Sequence, residues 1–185
     1  MTGKLAEGSA ISQKTSLSQN GQWPLFGTLY SGKGSLLGWQ TFSNTTSNDV
    51  AGLVSWIAPS NAGLKINPAG FTNELEAVGS AFQFSKGVPI LNISRGRVSV
   101  VNGNLSQGIT NQFVLTTNSQ VINLGTNKLT VTITSASGLF SGSIAVPGTG
   151  KTLSFTGVLL QKQNIGSGHF LGTNQSGRVL LSPGN

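Results

Sequence analysis

The stretch FGTLYSGKGSLLG, at residues Phe26–Gly38, is echoed later in the chain by TGVLLQKQNIGSGHFLG, at residues Thr156–Gly172. Each copy runs Gly-x-Leu-apolar, then a polar turn, then Gly-x-Gly-x-apolar-Leu-Gly, and the turn is four residues longer in the second copy. Glycines at such positions allow the backbone to bend or to approach a neighbour closely, so each copy is typical of two strands joined by a hairpin. The echo predicts two similar halves, about residues 1–88 and 89–185, that together close one all-β domain.

Turn signals recur along the rest of the chain and predict roughly ten to thirteen short strands. Asn20-Gly21 and Asn102-Gly103 are strong hairpin signals. The run LTVTIT at Leu129–Thr134 alternates strictly between apolar residues and threonine, which indicates a half-buried strand. We therefore predict a single antiparallel β-barrel over residues 1–185, because closure hides the strand edges, with a β-sandwich as the alternative.

Two segments required a choice between two structures. Phe71–Phe84 fits either a helical turn or a strand, and its valine and phenylalanine residues favour the strand. The run AVPGTGKT at Ala145–Thr152 resembles a phosphate-binding loop, but the residues after it alternate like a strand, whereas phosphate binding needs a helix there. We expect Pro147–Lys151 to be a hairpin turn. Ser60–Gly70 is the longest irregular stretch and a candidate functional loop or boundary.

Composition excludes several classes of function. The chain has 185 residues and no cysteine, so it has neither disulfides nor thiol chemistry. Its net charge is +7, but only Arg95 and Arg97 cluster, and nucleic-acid binding requires a clustered basic patch. No stretch approaches ~20 apolar residues, and the predicted strands are short with hydroxyl-rich outer faces. We expect no nucleic-acid partner and no membrane insertion.

Catalytic and metal-binding residues are few. His169 is the only histidine, and the only acids are Glu7, Asp49, Glu74 and Glu76. Glu74 and Glu76 share one face if their segment is a strand, which is compatible with paired-carboxylate chemistry but more common for acids in solvent. His169 occupies an ordinary strand position of the second repeat. We predict a protein that is not an enzyme, with no catalytic residue, cofactor or metal.

Aromatic residues are the more informative candidates for binding. Rings on β-domains either stack on sugars or fill barrel interiors. Trp39 and Trp56 lie in mid-strand, which favours the core, whereas Trp23 follows a turn and precedes Pro24. The predicted ligand-binding set for a glycan is Trp23, with Tyr30 and Trp56 as further stacking platforms.

Several motifs together resemble an uncharacterised β-rich domain found near the C-terminus of large secreted or cell-surface proteins of environmental bacteria. They span nearly the whole chain and lie at Gly21–Leu25, Gly34–Trp39, Pro68–Phe71, Gly138–Gly142, Phe155–Gln161 and Phe170–Gly172. The resemblance implies an extracellular or cell-surface accessory module of a longer protein and carries no activity. The start MTGKLAEGSA lacks the apolar segment of a signal peptide, so we expect an excised domain behind a start methionine.

Three functions remain open at this point. The first is a non-catalytic extracellular module for adhesion, assembly or surface display, with another surface protein domain as partner. The second is a carbohydrate-binding module that uses the aromatic set. The third is a carrier that holds a small ligand inside the barrel. The oligomeric state does not follow from the sequence.

Overall fold

A computed structural model describes residues 1–61 and 63–184 and is nearly all-β. Within those residues it has fourteen strands, and its only helical element is a 3-10 turn at Tyr30–Gly32. The strands form three antiparallel sheets, and contacts divide the chain into two compact units, Met1–Ser80 and Ala81–Asn185. The predicted all-β antiparallel class is confirmed. The two halves, however, hold separate sheets and do not share one closed sheet.

The N-terminal unit consists of a hairpin and a four-stranded meander. Its sheets have the orders β1-β2 and β3-β4-β5-β6. The strand bounds are β1 Thr2–Lys4, β2 Ala10–Ser12, β3 Gln22–Leu29, β4 Gly34–Phe42, β5 Val50–Ala58 and β6 Phe71–Gly79. The Phe71–Phe84 segment is therefore a strand over most of its length, as predicted. In the irregular stretch Ser60–Gly70, Ala62 lies outside the described residues.

The β1–β2 hairpin covers one face of the meander, which we call the inner face. Ile11 of β2 is buried over this face, and its Cδ1 would lie 2.6 Å from a Cβ placed on Gly27 of β3. A side chain at position 27 would therefore require the Ile11 side chain to move. The buried core of this unit comprises Ile11, Leu25, Leu29, Leu36, Val54 and Trp56.

The C-terminal unit is an eight-stranded antiparallel sheet that is nearly closed into a barrel. Its strand order is β10-β11-β12-β13-β14-β7-β8-β9, and the edge strands β9 and β10 come into contact. The strand bounds are β7 Arg95–Asn102, β8 Ile109–Leu115, β9 Val121–Asn123, β10 Leu129–Thr134, β11 Leu139–Ala145, β12 Thr152–Leu160, β13 Ile165–Leu171 and β14 Ser176–Pro183. Pro147–Lys151 lies in the β11–β12 connection, which confirms the hairpin prediction.

A buried amide ties the two edges of the barrel together. Asn111 of β8 is 3% exposed, and its Nδ2 donates to Asn123 Oδ1 at 2.6 Å and to the Asn127 carbonyl at 3.0 Å. Asn123 Nδ2 also donates to the Asn127 carbonyl, at 2.9 Å. These bonds link β8 and β9 to the turn before β10, because a buried amide needs partners for its donors and acceptor.

Phenylalanine rings fill the barrel, and glycines make room for them. A Cβ at Gly157 would lie 2.3 Å from Cζ of Phe140, and one at Gly177 would lie 2.1 Å from Cε1 of Phe170. The largest fully buried side chains are Phe113, Phe140, Phe170, Ile144, Leu181, Val98, Val100 and Val179. These side chains occupy the interior of the barrel, and the hypothesis of a ligand carrier stays a prediction.

The two echoed stretches are both hairpins, as predicted. Phe26–Gly38 forms most of β3–β4, and Thr156–Gly172 forms most of β12–β13. Residues 30–33 connect the first pair of strands and residues 161–164 connect the second. The extra residues of the second copy therefore extend its strands and not its turn. Gly27 pairs with Leu36, whereas its counterpart Gly157 pairs with Gly168.

Candidate functional site

The candidate site is the face of the β3–β6 meander that is turned away from the β1–β2 hairpin. We call it the outer face. It carries large apolar side chains that stay exposed, namely Phe26 at 58%, Leu37 at 38%, Trp39 at 61%, Leu53 at 53% and Ile57 at 37%. Single exposed apolar residues are normal on proteins, but a contiguous set on one surface marks an interaction site.

The strand register places these residues side by side. One cross-strand row consists of Pro24, Trp39, Leu53 and Glu76, and the next consists of Phe26, Leu37, Ser55 and Glu74. Directly opposed residues of an antiparallel pair have Cβ atoms about 4.5–5.5 Å apart. The apolar side chains are therefore continuous across β3, β4 and β5, and each row ends in a carboxylate on β6.

The acidic end of the outer face is distinctive in so basic a chain. Glu74 and Glu76 are two of the four acids in the sequence, and both are exposed on the edge strand β6. Their predicted position on one face of a strand is confirmed by their pairing with Ser55 and Leu53. A depression of about 350 Å³ adjoins Glu76 and is lined in part by Ala51 and Leu53.

The structure removes Trp56 from the predicted glycan-binding set. Its side chain points to the inner face, is 7% exposed and packs edge to face against Phe71 at 4.9 Å between ring centroids. The Nε1–H of Trp56 donates to Tyr30 Oη at 3.1 Å. Because its ring is covered on the inside of the sheet, Trp56 is a core residue and cannot present a stacking surface.

Tyr30 belongs to the same buried network. Its hydroxyl donates to Glu7 Oε1 at 2.5 Å, and Ser9 Oγ donates to the same carboxylate oxygen at 2.7 Å. Burial raises the pKa of the Tyr30 phenol well above its ordinary value, and the hydrogen bond to Glu7 raises that pKa further. The hydrogen bonds from Trp56 to Tyr30 and from Tyr30 to Glu7 therefore connect the sheet to the turn of the β1–β2 hairpin.

Trp23 also points to the inner face, where it is half-buried. It packs against the core of the N-terminal unit and meets Phe42 edge to face, with ring centroids 6.5 Å apart. The three predicted residues therefore share the inner side of the sheet, and a role for Trp23 in binding stays a prediction. Sequence reasoning missed Trp39 and Phe26, the most exposed aromatic rings of the outer face.

His169 and the paired arginines lie elsewhere, on the outside of the barrel. His169 pairs with Thr156 and Arg178 in its strand row, and burial lowers the pKa of its imidazole. Arg95 and Arg97 are exposed on the same face of β7. In the described ranges, 1–61 and 63–184, His, Asp and Glu form no group of three that could hold a metal ion.

No family model, curated protein or solved structure matches this chain. In the part of the chain that the structure describes, no helix has the length and apolar character needed to cross a membrane.

Proposed function

We propose that the chain is a non-catalytic binding module that docks on a partner protein through the outer face of its N-terminal unit. The observation that carries the proposal is the exposed row of Trp39 and Leu53 beside Phe26 and Leu37. Interfaces concentrate their binding energy in a few central aromatic and apolar side chains surrounded by a polar rim. The outer face has this arrangement, with threonines, serines and two glutamates around its apolar centre.

The chemistry of the face defines the chemistry of the partner. Its centre is partly aliphatic, which favours a dry contact with apolar side chains over a contact with hydroxyl-covered sugars. The acidic edge favours Lys or Arg on the partner, and the depression beside Glu76 can receive such a side chain. We infer a protein surface with an apolar centre and a basic flank.

This docking would serve adhesion, assembly or surface display. The extracellular location and the role as an accessory module of a longer secreted bacterial protein rest on the resemblance described above and are part of the proposal. Such a module would act by packing and hydrogen bonding and would need no bond-making chemistry.

Affinity capture with an outer-face variant tests the proposal. The double variant Phe26→Ser/Trp39→Ser should fold, because outward cross-strand pairs contribute only roughly 0.2–1 kcal/mol each. We expect immobilised wild-type protein to retain a partner from the surface fraction of an environmental bacterium, and the double variant to lose it. With purified components, Trp39→Ser should weaken binding by about tenfold or more.

Two controls distinguish docking from non-specific adsorption through exposed apolar side chains. Leu171, 47% exposed on the barrel, is the matched control, and Leu171→Ser should retain the partner. Glu74→Gln/Glu76→Gln should weaken binding mainly at low salt, because exposed charges are screened as ionic strength rises. Equal retention of the partner by the outer-face variant and the wild type would contradict the proposal. If the wild type elutes as a dimer in size-exclusion chromatography and Trp39→Ser elutes as a monomer, the partner is a second copy of the chain.

A carbohydrate is the second candidate, and one observation favours it. Trp39 and Phe26 expose their rings in rows that end in Glu76 and Glu74, and sugar binding combines ring stacking with carboxylate acceptors for hydroxyls. A polysaccharide pull-down with the wild type and with Trp39→Ala distinguishes a carbohydrate partner from a protein partner. Retention of a glycan that Trp39→Ala abolishes, with no protein captured, would replace the first candidate by the second.

A further inference from the structure

A cleft of about 500 Å³ lies on the inner face of the meander, opposite the docking surface. Gln13, Lys14 and Thr15, which follow β2, form one side of this inner cleft. The sheet forms the other side. Its volume is within the range of about 300–1,000 Å³ that is typical of small-molecule sites.

The shape of the inner cleft follows from large and small residues on adjoining strands. Trp23 and Phe42 form an aromatic wall, with their ring planes at 89° to each other. Ala77 and Gly79 of β6 also line the cleft, and residues this small leave space that larger side chains would fill. The cleft is therefore mostly apolar, with ring surfaces available to a planar ligand.

One oxygen of a buried amide group that lines the cleft lacks a hydrogen-bond partner. Gln40 is 4% exposed, and its Nε2 donates to the Leu53 carbonyl at 3.3 Å. We assign the amide nitrogen to the atom beside that carbonyl, because a carbonyl accepts hydrogen bonds and cannot donate to an amide oxygen. The buried Oε1 has no hydrogen-bond partner in the structure. Leaving a buried acceptor unsatisfied costs about 1–3 kcal/mol, so a donor that reaches Oε1 would gain binding energy.

We propose that the inner cleft binds a small neutral aromatic molecule that carries a hydroxyl group. The aromatic part of the ligand packs against Trp23 and Phe42, and its hydroxyl donates to Gln40 Oε1. Because Oε1 is buried, the ligand reaches it only after a rotation about the broad terminal torsion of Gln40, and this rotation lengthens the bond from Nε2 to the Leu53 carbonyl. This site is independent of the docking surface, because inner-face and outer-face side chains alternate along each strand.

The test compares 2-naphthol with its methyl ether, 2-methoxynaphthalene, which has the same rings but no donor. Binding to the whole chain is followed by calorimetry and by the NMR signals of the Trp23 indole and the Gln40 side-chain amide. We expect 2-naphthol to bind wild type about tenfold more tightly than the ether. In Gln40→Met, which keeps the side-chain length, the two ligands should bind equally.

Gln22→Met is the matched control, since Gln22 is exposed on β3 and does not line the cleft. This variant should keep the preference for 2-naphthol. Equal affinities of the two ligands for wild type would overturn the proposal without any variant, as would a lack of shifts at Trp23 and Gln40 up to the solubility limit. A preference for 2-naphthol that persists in Gln40→Met would overturn the assignment of the acceptor.

Discussion

At the scale of single residues, the direction of each side chain from its strand decides its role. Trp39 and Trp56 both lie in mid-strand, but their different positions in the alternation place Trp39 on the outer face at 61% exposed and Trp56 in the core at 7% exposed. Sequence reasoning could not separate them, because β4 and β5 carry apolar residues on both faces. Alternation predicts a half-buried strand only when one face is polar.

Tyr30 provides a prediction at this scale, because it is the only tyrosine in the chain. The ultraviolet absorbance of the phenolate therefore reports this residue alone. We expect the phenol of Tyr30 to titrate at a clearly higher pH in the native protein than in the denatured chain. In the denatured chain its pKa should be near the ordinary value of about 10. The physical cause is burial, followed by the hydrogen bond to Glu7.

The raised pKa of Tyr30 also determines how stability depends on pH. A folded-state pKa above the unfolded value stabilises the fold fully below pH ~10, and this contribution is lost as the pH rises through the folded-state value. The free energy of unfolding of wild type should therefore fall above pH ~10 more steeply than that of Tyr30→Phe. Identical titrations of the native and denatured phenol would refute the buried network around Tyr30.

At the scale of elements, most strands and hairpins were predictable, whereas the registers of the strands were not. The Asn102-Gly103 turn, the alternation of Leu129–Thr134 and the echoed glycine patterns each marked strands that the structure confirms. The hairpin predicted at Asn20-Gly21 is wrong, because the strand before it, β2, pairs with β1 and the strand after it, β3, pairs with β4. The turn length of the second copy was not predictable, because it depends on pairing: Leu160 pairs with Ile165, so both belong to strands. The packing of Phe140 against Gly157 is a long-range contact, and the only sign of it in the local sequence is the glycine itself.

Gly157→Ala tests the packing of rings over glycines in the barrel. The added Cβ would lie 2.3 Å from Phe140 Cζ and 2.4 Å from the Ser167 carbonyl, so both must move. We expect the barrel to lose roughly 1–3 kcal/mol of unfolding free energy, as overpacked cores do. Denaturant unfolding that is monitored by near-ultraviolet circular dichroism measures this loss of unfolding free energy.

Gly3→Ala is the control, because a Cβ at Gly3 meets nothing within 4 Å. It should change the unfolding free energy by less than about 0.5 kcal/mol. Equal effects of the two substitutions would show that Phe140 does not lie against Gly157.

At the scale of the whole molecule, the sequence indicated an all-β protein with two related halves, but not that each half forms its own unit. The echo of Phe26–Gly38 in Thr156–Gly172 was consistent with one closed sheet. Instead, the first hairpin lies in a four-stranded sheet and the second in an eight-stranded one. The amide of Asn111 and its partners lie where the edges of the larger sheet meet, and residue type alone does not reveal such pairings.

The separate four-stranded sheet is what leaves the outer face exposed, and this exposure is the premise of the proposed function. Within the N-terminal unit the β1–β2 hairpin packs on the inner face alone. Phe26, Trp39 and Leu53 remain accessible, although each side chain is large and apolar. A protein that docks there would cover these three side chains and leave Trp56 unchanged.

Carbene footprinting of the folded chain, alone and with the partner retained in affinity capture, tests this claim most directly. The account predicts strong labelling of Phe26, Trp39 and Leu53 in the free protein, loss of that labelling in the complex, and little labelling of Trp56 in either state. Protection of Trp39 in the free chain, or unchanged labelling of Trp39 when the partner is bound, would contradict it.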